Sequence, residues 1–300
     1  MSKINENIAA CSYMAIAMFC FVVNDALIRS VGKQLPLGQI LFLRNSLLAM
    51  LLILLMLHLG KWRQLPTILS PRVTARSLLE VVGSIAFLYA LIRIPFANTA
   101  AILQCLPLAV TLGATLFFGE RVGAWRWCAI VIGFAGVVII LRPGLDGFTP
   151  PALWLLLTVF CAAGRDLISR SLPKNIPASV VSLSTATFIA ITGAIMVGFQ
   201  GEWVAVSSNA AIRIAAAALL LVGAYQCIVL AMRTGDIGFV APFRYTSLLW
   251  AIALGWLMFD EWPDQLTIAG ATLIVAMGLL SLYRETLHRQ SDNNESQNIN

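Results

Sequence analysis

The chain has 300 residues, of which 59% are hydrophobic and 11% charged, with a formal net charge of +6 and a mean hydropathy of +0.86. Soluble proteins carry roughly 45–50% apolar and about 25% charged residues. This composition therefore excludes a soluble fold, and its even spread along the chain excludes a soluble enzyme on one anchor. An outer-membrane barrel is excluded because its strands alternate apolar and polar residues, and the basic excess fits cytoplasmic loops of a membrane protein better than nucleic acid.

A helix needs about 20 apolar residues to cross the hydrocarbon core. Read for such runs, the chain predicts ten spans: 8–31, 36–57, 76–94, 97–118, 124–141, 152–172, 178–200, 211–232, 237–259 and 265–283. Charge, proline or glycine fills each interval, and the connections are too short for an extramembrane catalytic domain. The first run has no small-residue cleavage site and reads as a retained helix. The polar tail, 284–300, reads as disordered. Six cysteines lie in apolar stretches with no CxxC pair and read as packing residues. The two histidines, His58 and His288, offer no metal or catalytic centre.

Lysine and arginine set the direction. With the N-terminus inside, Arg29, Lys33, Arg93, Arg142 and Arg213 fall outside and Arg44, Arg165 and Arg244 fall within spans; the other twelve of the twenty basic residues are cytoplasmic. Both termini are then cytoplasmic, and the acidic loop Asp260, Glu261 and Asp264 is external.

The chain repeats itself at an offset of 141 residues. Asp25, Arg29, Ser30, Lys33 and Pro36 match Asp166, Arg170, Ser171, Lys174 and Pro177, and Gly119-Glu120 matches Asp260-Glu261. The expected units are 8–141 and 152–283. Five spans are an odd number, so the copies face opposite ways. Inverted repeats are typical of secondary transporters, in which the halves exchange conformations around one central site.

Ten helices as five plus five, with Gly119-Glu120 and Asp260-Glu261 closing the fourth and ninth, resemble the drug/metabolite transporter superfamily, EamA branch. Phe42-Leu43-Arg44-Asn45 in helix two, the glycine-rich 133–137 and Arg142-Pro143-Gly144 add to the likeness, which covers residues 8–283. Within that branch, Asn24-Asp25-Ala26, Leu43-Arg44, Gln104-Cys105-Leu106-Pro107-Leu108 and Arg142-Pro143-Gly144 are most similar to bacterial riboflavin importers. S-adenosylmethionine importers share much of the pattern. The resemblance implies an all-α inner-membrane carrier that takes up riboflavin, with transport of S-adenosylmethionine, an amino acid or another metabolite as the alternative.

An ionisable residue at membrane depth costs about 2.5–3.5 kcal/mol and needs a partner or a wet cavity. At about 1.5 Å per residue, Asp25 and Arg44 come to similar depths near the outer side, and Asp166 and Arg244 near the inner side. Two acid–arginine pairs are expected, Asp25–Arg44 and Asp166–Arg244, serving either as gates or as structural staples. Glu80 is placed about a turn from the cytoplasmic end of helix three, with Arg165 snorkelling inward or pairing with it.

Gln104, Tyr225, Gln226, Tyr245 and Trp250 lie well inside spans and are the candidate substrate contacts: aromatic faces for stacking, amides for an imide edge. Packing or interfacial anchoring is the competing role for each aromatic. Pro107 and Pro242 free backbone carbonyls inside spans four and nine and point to these as pocket walls. Gly83, Gly113, Gly133, Gly136, Gly223, Gly255 and Gly270 read as helix-packing positions. With no GxxxxGK[ST] loop and no Ser–His–Asp set, the expectation is no catalytic residue, no metal and no cofactor. An intramembrane enzyme is the different-class alternative. The expected partners are a small-molecule substrate and the lipid bilayer, with no nucleic acid.

Overall fold

A computed structural model describes residues 3–58, 60, 62–119, 123–143, 150–173, 176–201, 203–235 and 237–298. In hydrocarbon every backbone group must bond within its own segment, and every span is accordingly helical. The helices are α1 (Lys3–Val31), α2 (Leu37–His58), α3 (Pro71–Leu91), α4 (Phe96–Leu103), α5 (Leu106–Phe118), α6 (Ala124–Leu141), α7 (Leu153–Arg170), α8 (Ala178–Gln200), α9 (Ser208–Thr234), α10 (Ile237–Val240), α11 (Thr246–Phe259) and α12 (Gln265–Asn298). Among the described residues nine helices, with α4 and α5 taken as one, are long and apolar enough to cross a membrane. The chain is a multi-pass membrane protein.

The ninth predicted span, 237–259, is present in three pieces: α10, a 3-10 turn at Ala241–Tyr245 and α11. Together they reach about 35 Å, enough for a core of about 30 Å. Span four is interrupted in the same place, at 104–105, between α4 and α5. Pro107 sits in the first turn of α5 and Pro242 in the first turn of the 3-10 segment. A proline lacks the N–H that the preceding turn would use, and each break follows from that.

The repeat is also visible in the backbone. Gly60 and Gly201 end α2 and α8 with φ of 67° and 66°, and Gly119 and Asp260 end α5 and α11 with φ of 64° and 54°. Each pair is separated by the same offset. Aspartate is one of the few residues besides glycine that enters this region readily. Packing obeys the same symmetry. α1 lies on α9 and α3 on α7, interfaces that exchange under the repeat, while α2 with α8 and α6 with α12 each map onto themselves.

Two expectations are corrected. α3 begins at Pro71, five residues earlier than its apolar run, where Arg76 bonds to Ser169 of α7 and Thr185 of α8 and the exposed Arg72 bonds to the Ser171 carbonyl at the end of α7. Gly223 is not a packing position: a Cβ there would meet nothing within 4 Å. At Gly136 and Gly270 the packing reading holds. A Cβ on Gly136 would lie 2.7 Å from the Gly270 carbonyl oxygen, and one on Gly270 2.6 Å from that of Gly136.

Candidate substrate site

The two broken spans meet. Gln104, at the first break, donates from Nε2 to Ser247 Oγ at 2.7 Å, and Ser247 Oγ donates to the Arg244 carbonyl at 2.9 Å. Tyr245, at the second break, is the repeat counterpart of Gln104. Its ring is buried and its hydroxyl has no hydrogen-bond partner. That hydroxyl lies over Gly278 of α12, where a Cβ would come within 1.7 Å of it. Trp250 packs edge-on against Phe19, centroids 5.0 Å apart, and Tyr225 edge-on against Phe21 at 5.7 Å. Gln226 is exposed. The structure thus brings Gln104 and Tyr245 to the crossing of the broken spans, places Tyr225 and Trp250 against α1, and turns Gln226 away from both.

Tyr225 borders a charged cluster and shares electrostatic contact with Glu80, Arg165, Arg44 and Arg76. Arg165 Nη1 on α7 donates to both oxygens of Glu80 on α3, at 2.9 and 2.7 Å, and its Nε to Asp166 Oδ1 at 2.9 Å. Arg76 donates to Ser169 Oγ at 2.9 Å and to Thr185 Oγ1 at 2.7 Å, and Ser77 and Ser184 share a bond of 3.1 Å. Since α3 starts at Pro71, Glu80 lies about 13 Å along it, far deeper than a turn from the end. The side chains of Arg165, Glu80 and Asp166 are 21%, 22% and 31% exposed. Charges at this depth with such accessible surface do not face hydrocarbon; they mark a hydrated interior.

Neither expected pair forms. Asp166 is held by Arg165, its neighbour on the same helix, and not by Arg244. Arg244 lies in the 3-10 turn, whose three residues per turn rotate side chains away from the row a continuous α-helix would give, and it is exposed. Asp25 and Arg44 feel each other's charge but make no ion pair. Asp25 Oδ1 accepts a bond of 2.9 Å from Asn24 Nδ2, and the Nε of Arg44 is buried without a partner.

A two-pronged ion pair lies elsewhere. Arg29 Nη1 and Nη2 at the end of α1 grip the two oxygens of Glu261 at 2.7 and 2.6 Å. The Phe96 N–H at the start of α4 also donates to Glu261, at 2.8 Å, and the guanidinium lies over Phe259 at 4.5 Å from the ring centre. Beside it Arg142 pairs with Asp264, which caps α12 by accepting the Thr267 N–H at 2.8 Å. Sequence reading left Arg29 and Glu261 as loop charges. The signal that could have found them was the matching of Arg29 and Glu261 with Arg170 and Glu120, the last of which lies outside the described residues. Together these contacts tie the first five-helix half to the second at one face.

The hydrogen bond from Arg142 holds the Asp264 carboxyl down at about 2. A depressed carboxyl stabilises the fold above its ordinary value near 3.8, and that contribution is lost only as pH falls toward about 2, so this tie does not switch near neutrality. Glu261→Gln leaves Arg29, 8% exposed, without a counter-charge. It is expected to lower the unfolding temperature in detergent by several degrees. Arg93→Gln, which removes an exposed guanidinium stacked 3.7 Å over Tyr89, should change it by about a degree or less.

The sequence pattern of the EamA-like transporter family matches residues 8–142 and 149–283, stretches that begin 141 residues apart. The chain is 27% identical to an S-adenosylmethionine uptake transporter of Rickettsia prowazekii over 92% of either chain. It is 32% identical to a riboflavin transporter of Rhizobium johnstonii over 71% of this chain and 70% of that one. A pseudopaline exporter of Pseudomonas aeruginosa is 28% identical over 87% and 91%. One solved crystal structure, 19% identical, superposes with a TM-score of 0.63 over 95% of this chain and 99% of that one, a likeness of fold.

Proposed function

The chain belongs to the EamA-like transporter family, and from that premise we propose that it is a secondary carrier of the bacterial inner membrane that takes up a small organic metabolite by alternating access. The observation that carries this is the contact between the two broken spans, Gln104 to Ser247 at 2.7 Å. Discontinuous helices at equivalent places in inverted repeats are where carriers of this build hold their ligand.

Riboflavin is the first substrate reading, supported by the 32% identity to a riboflavin transporter. S-adenosylmethionine is the second, and the charged interior favours it. Counterflow into proteoliposomes decides between them: protein loaded inside with one unlabelled compound should accumulate the same compound labelled outside. Linear, unsaturable entry of every compound would instead indicate a channel, and chemical change of the compound an enzyme.

Both termini are proposed to be cytoplasmic, from the distribution of Lys and Arg. A cysteine replacing Ser291 in a cysteine-free background is expected to stay unlabelled by an impermeant reagent in intact cells and to react after permeabilisation. Labelling in intact cells would reverse the topology.

A further inference from the structure

The two repeats treat one position differently. In each, a side chain donates to the carboxylate that follows it: Asn24 Nδ2 to Asp25 Oδ1 and Arg165 Nε to Asp166 Oδ1, both at 2.9 Å. In the second repeat the donor is a cation, and it also reaches across to Glu80. That acid is neutralised in place. In the first repeat the donor is a neutral amide and cannot balance Asp25. The cation whose charge reaches Asp25 is Arg44, but the two form no ion pair, and the Arg44 Nε is buried with no acceptor. Thr185, the repeat counterpart of Arg44, has no such vacancy, because it accepts from Arg76 at 2.7 Å.

A staple between Asp25 and Arg44 would close, since two half-buried ions lose free energy by staying apart. These remain open while their counterparts are satisfied. A guanidinium matches a carboxylate in shape and charge, and a carboxylate takes an ammonium. A ligand that presents both groups on one carbon satisfies both residues and adds no net charge to the interior. We infer that Asp25 and Arg44 clamp the α-amino-acid headgroup of the transported molecule, its ammonium on Asp25 and its carboxylate on Arg44. The substrate class is then a zwitterionic amino acid or a metabolite that keeps an amino-acid end. This rests on the carrier reading and narrows it, away from a neutral flavin.

The test uses the full chain in proteoliposomes, with labelled S-adenosylmethionine, L-methionine and riboflavin as probes. Decarboxylated S-adenosylmethionine, which lacks the carboxylate, and methylthioadenosine, which lacks the whole headgroup, serve as competitors. Wild-type protein should prefer S-adenosylmethionine to its decarboxylated form by about 10–100-fold. Arg44→Gln should abolish that preference by weakening the acid alone, and Arg44→Lys should restore part of it. Asp25→Asn should weaken both ammonium-bearing compounds and spare methylthioadenosine. Should Arg44→Gln fail to fold, the wild-type ligand series decides by itself. No wild-type preference for the carboxylate-bearing compound overturns the clamp. Riboflavin counterflow that no amino-acid compound competes with also overturns it and leaves the carrier standing. Absence of counterflow for all three probes overturns the carrier reading itself.

Discussion

Gly270→Val is expected to leave little folded protein. The Cβ alone would sit 2.6 Å from the Gly136 carbonyl oxygen and 2.6 Å from Ile140 Cγ1. A side chain can rotate away from such a contact, but a helical carbonyl is fixed by its own hydrogen bond. α6 and α12 would have to separate, opening the core around Ile140, Leu141 and Ile274, which are 5%, 6% and 0% exposed. Overpacking costs about 1–3 kcal/mol where the core can adjust, and a backbone obstruction places this change at the upper end or beyond. Gly136→Val meets the same contact from the other side. Because one substitution already parts the helices, the double variant should cost less than the two singles together. Gly223→Ala, facing open space, should be neutral or stabilising by up to about 1 kcal/mol. Thermal unfolding and the monodisperse fraction in detergent measure all four. If Gly270→Val behaved like Gly223→Ala, α6 and α12 would not be in contact at their backbones.

What could be read from the amino acids was whatever depends on position along a helix. Apolar runs mark the spans, Pro107 and Pro242 mark the breaks, and the offset of 141 aligns Gln104 with Tyr245. What could not be read depends on rotation about a helix axis. Depth alone puts Asp166 level with Arg244, but a few residues of 3-10 winding turn Arg244 outward, and the adjacent Arg165 of the same helix takes the carboxylate. Depth also failed at α3, because the apolar run starts only after Arg72 and Arg76. Those arginines are inside the helix because Ser169, Ser171 and Thr185 receive them, and a hydropathy reading has no knowledge of such partners. Arg29 and Glu261 were hidden for a similar reason: each looks like an ordinary loop charge until the fold brings the ends of α1 and α11 together.

Arg165→Gln is the second large effect. One guanidinium serves two carboxylates, Glu80 through two bonds and Asp166 through one. Removing it strands two negative charges side by side across α3 and α7. Breaking a buried pair costs about 3–5 kcal/mol, but these groups are 21–31% exposed and water screens part of the loss, so about 2–3 kcal/mol is expected. Glu80→Gln should be milder, because Arg165 keeps Asp166 and gains room to face it squarely. Arg165→Lys should fall between them, since a single ammonium cannot hold two carboxylates in the geometry of a planar fork. The informative variant is the double, Glu80→Gln with Arg165→Gln. It leaves only Asp166 unpaired and should be more stable than Arg165→Gln alone despite carrying an extra substitution. That order, read from unfolding temperatures at one pH, requires that the loss come from stranded charge. If the double variant were instead the least stable, the three side chains would act mainly by filling space between α3 and α7, and the interior would be drier than their exposure implies.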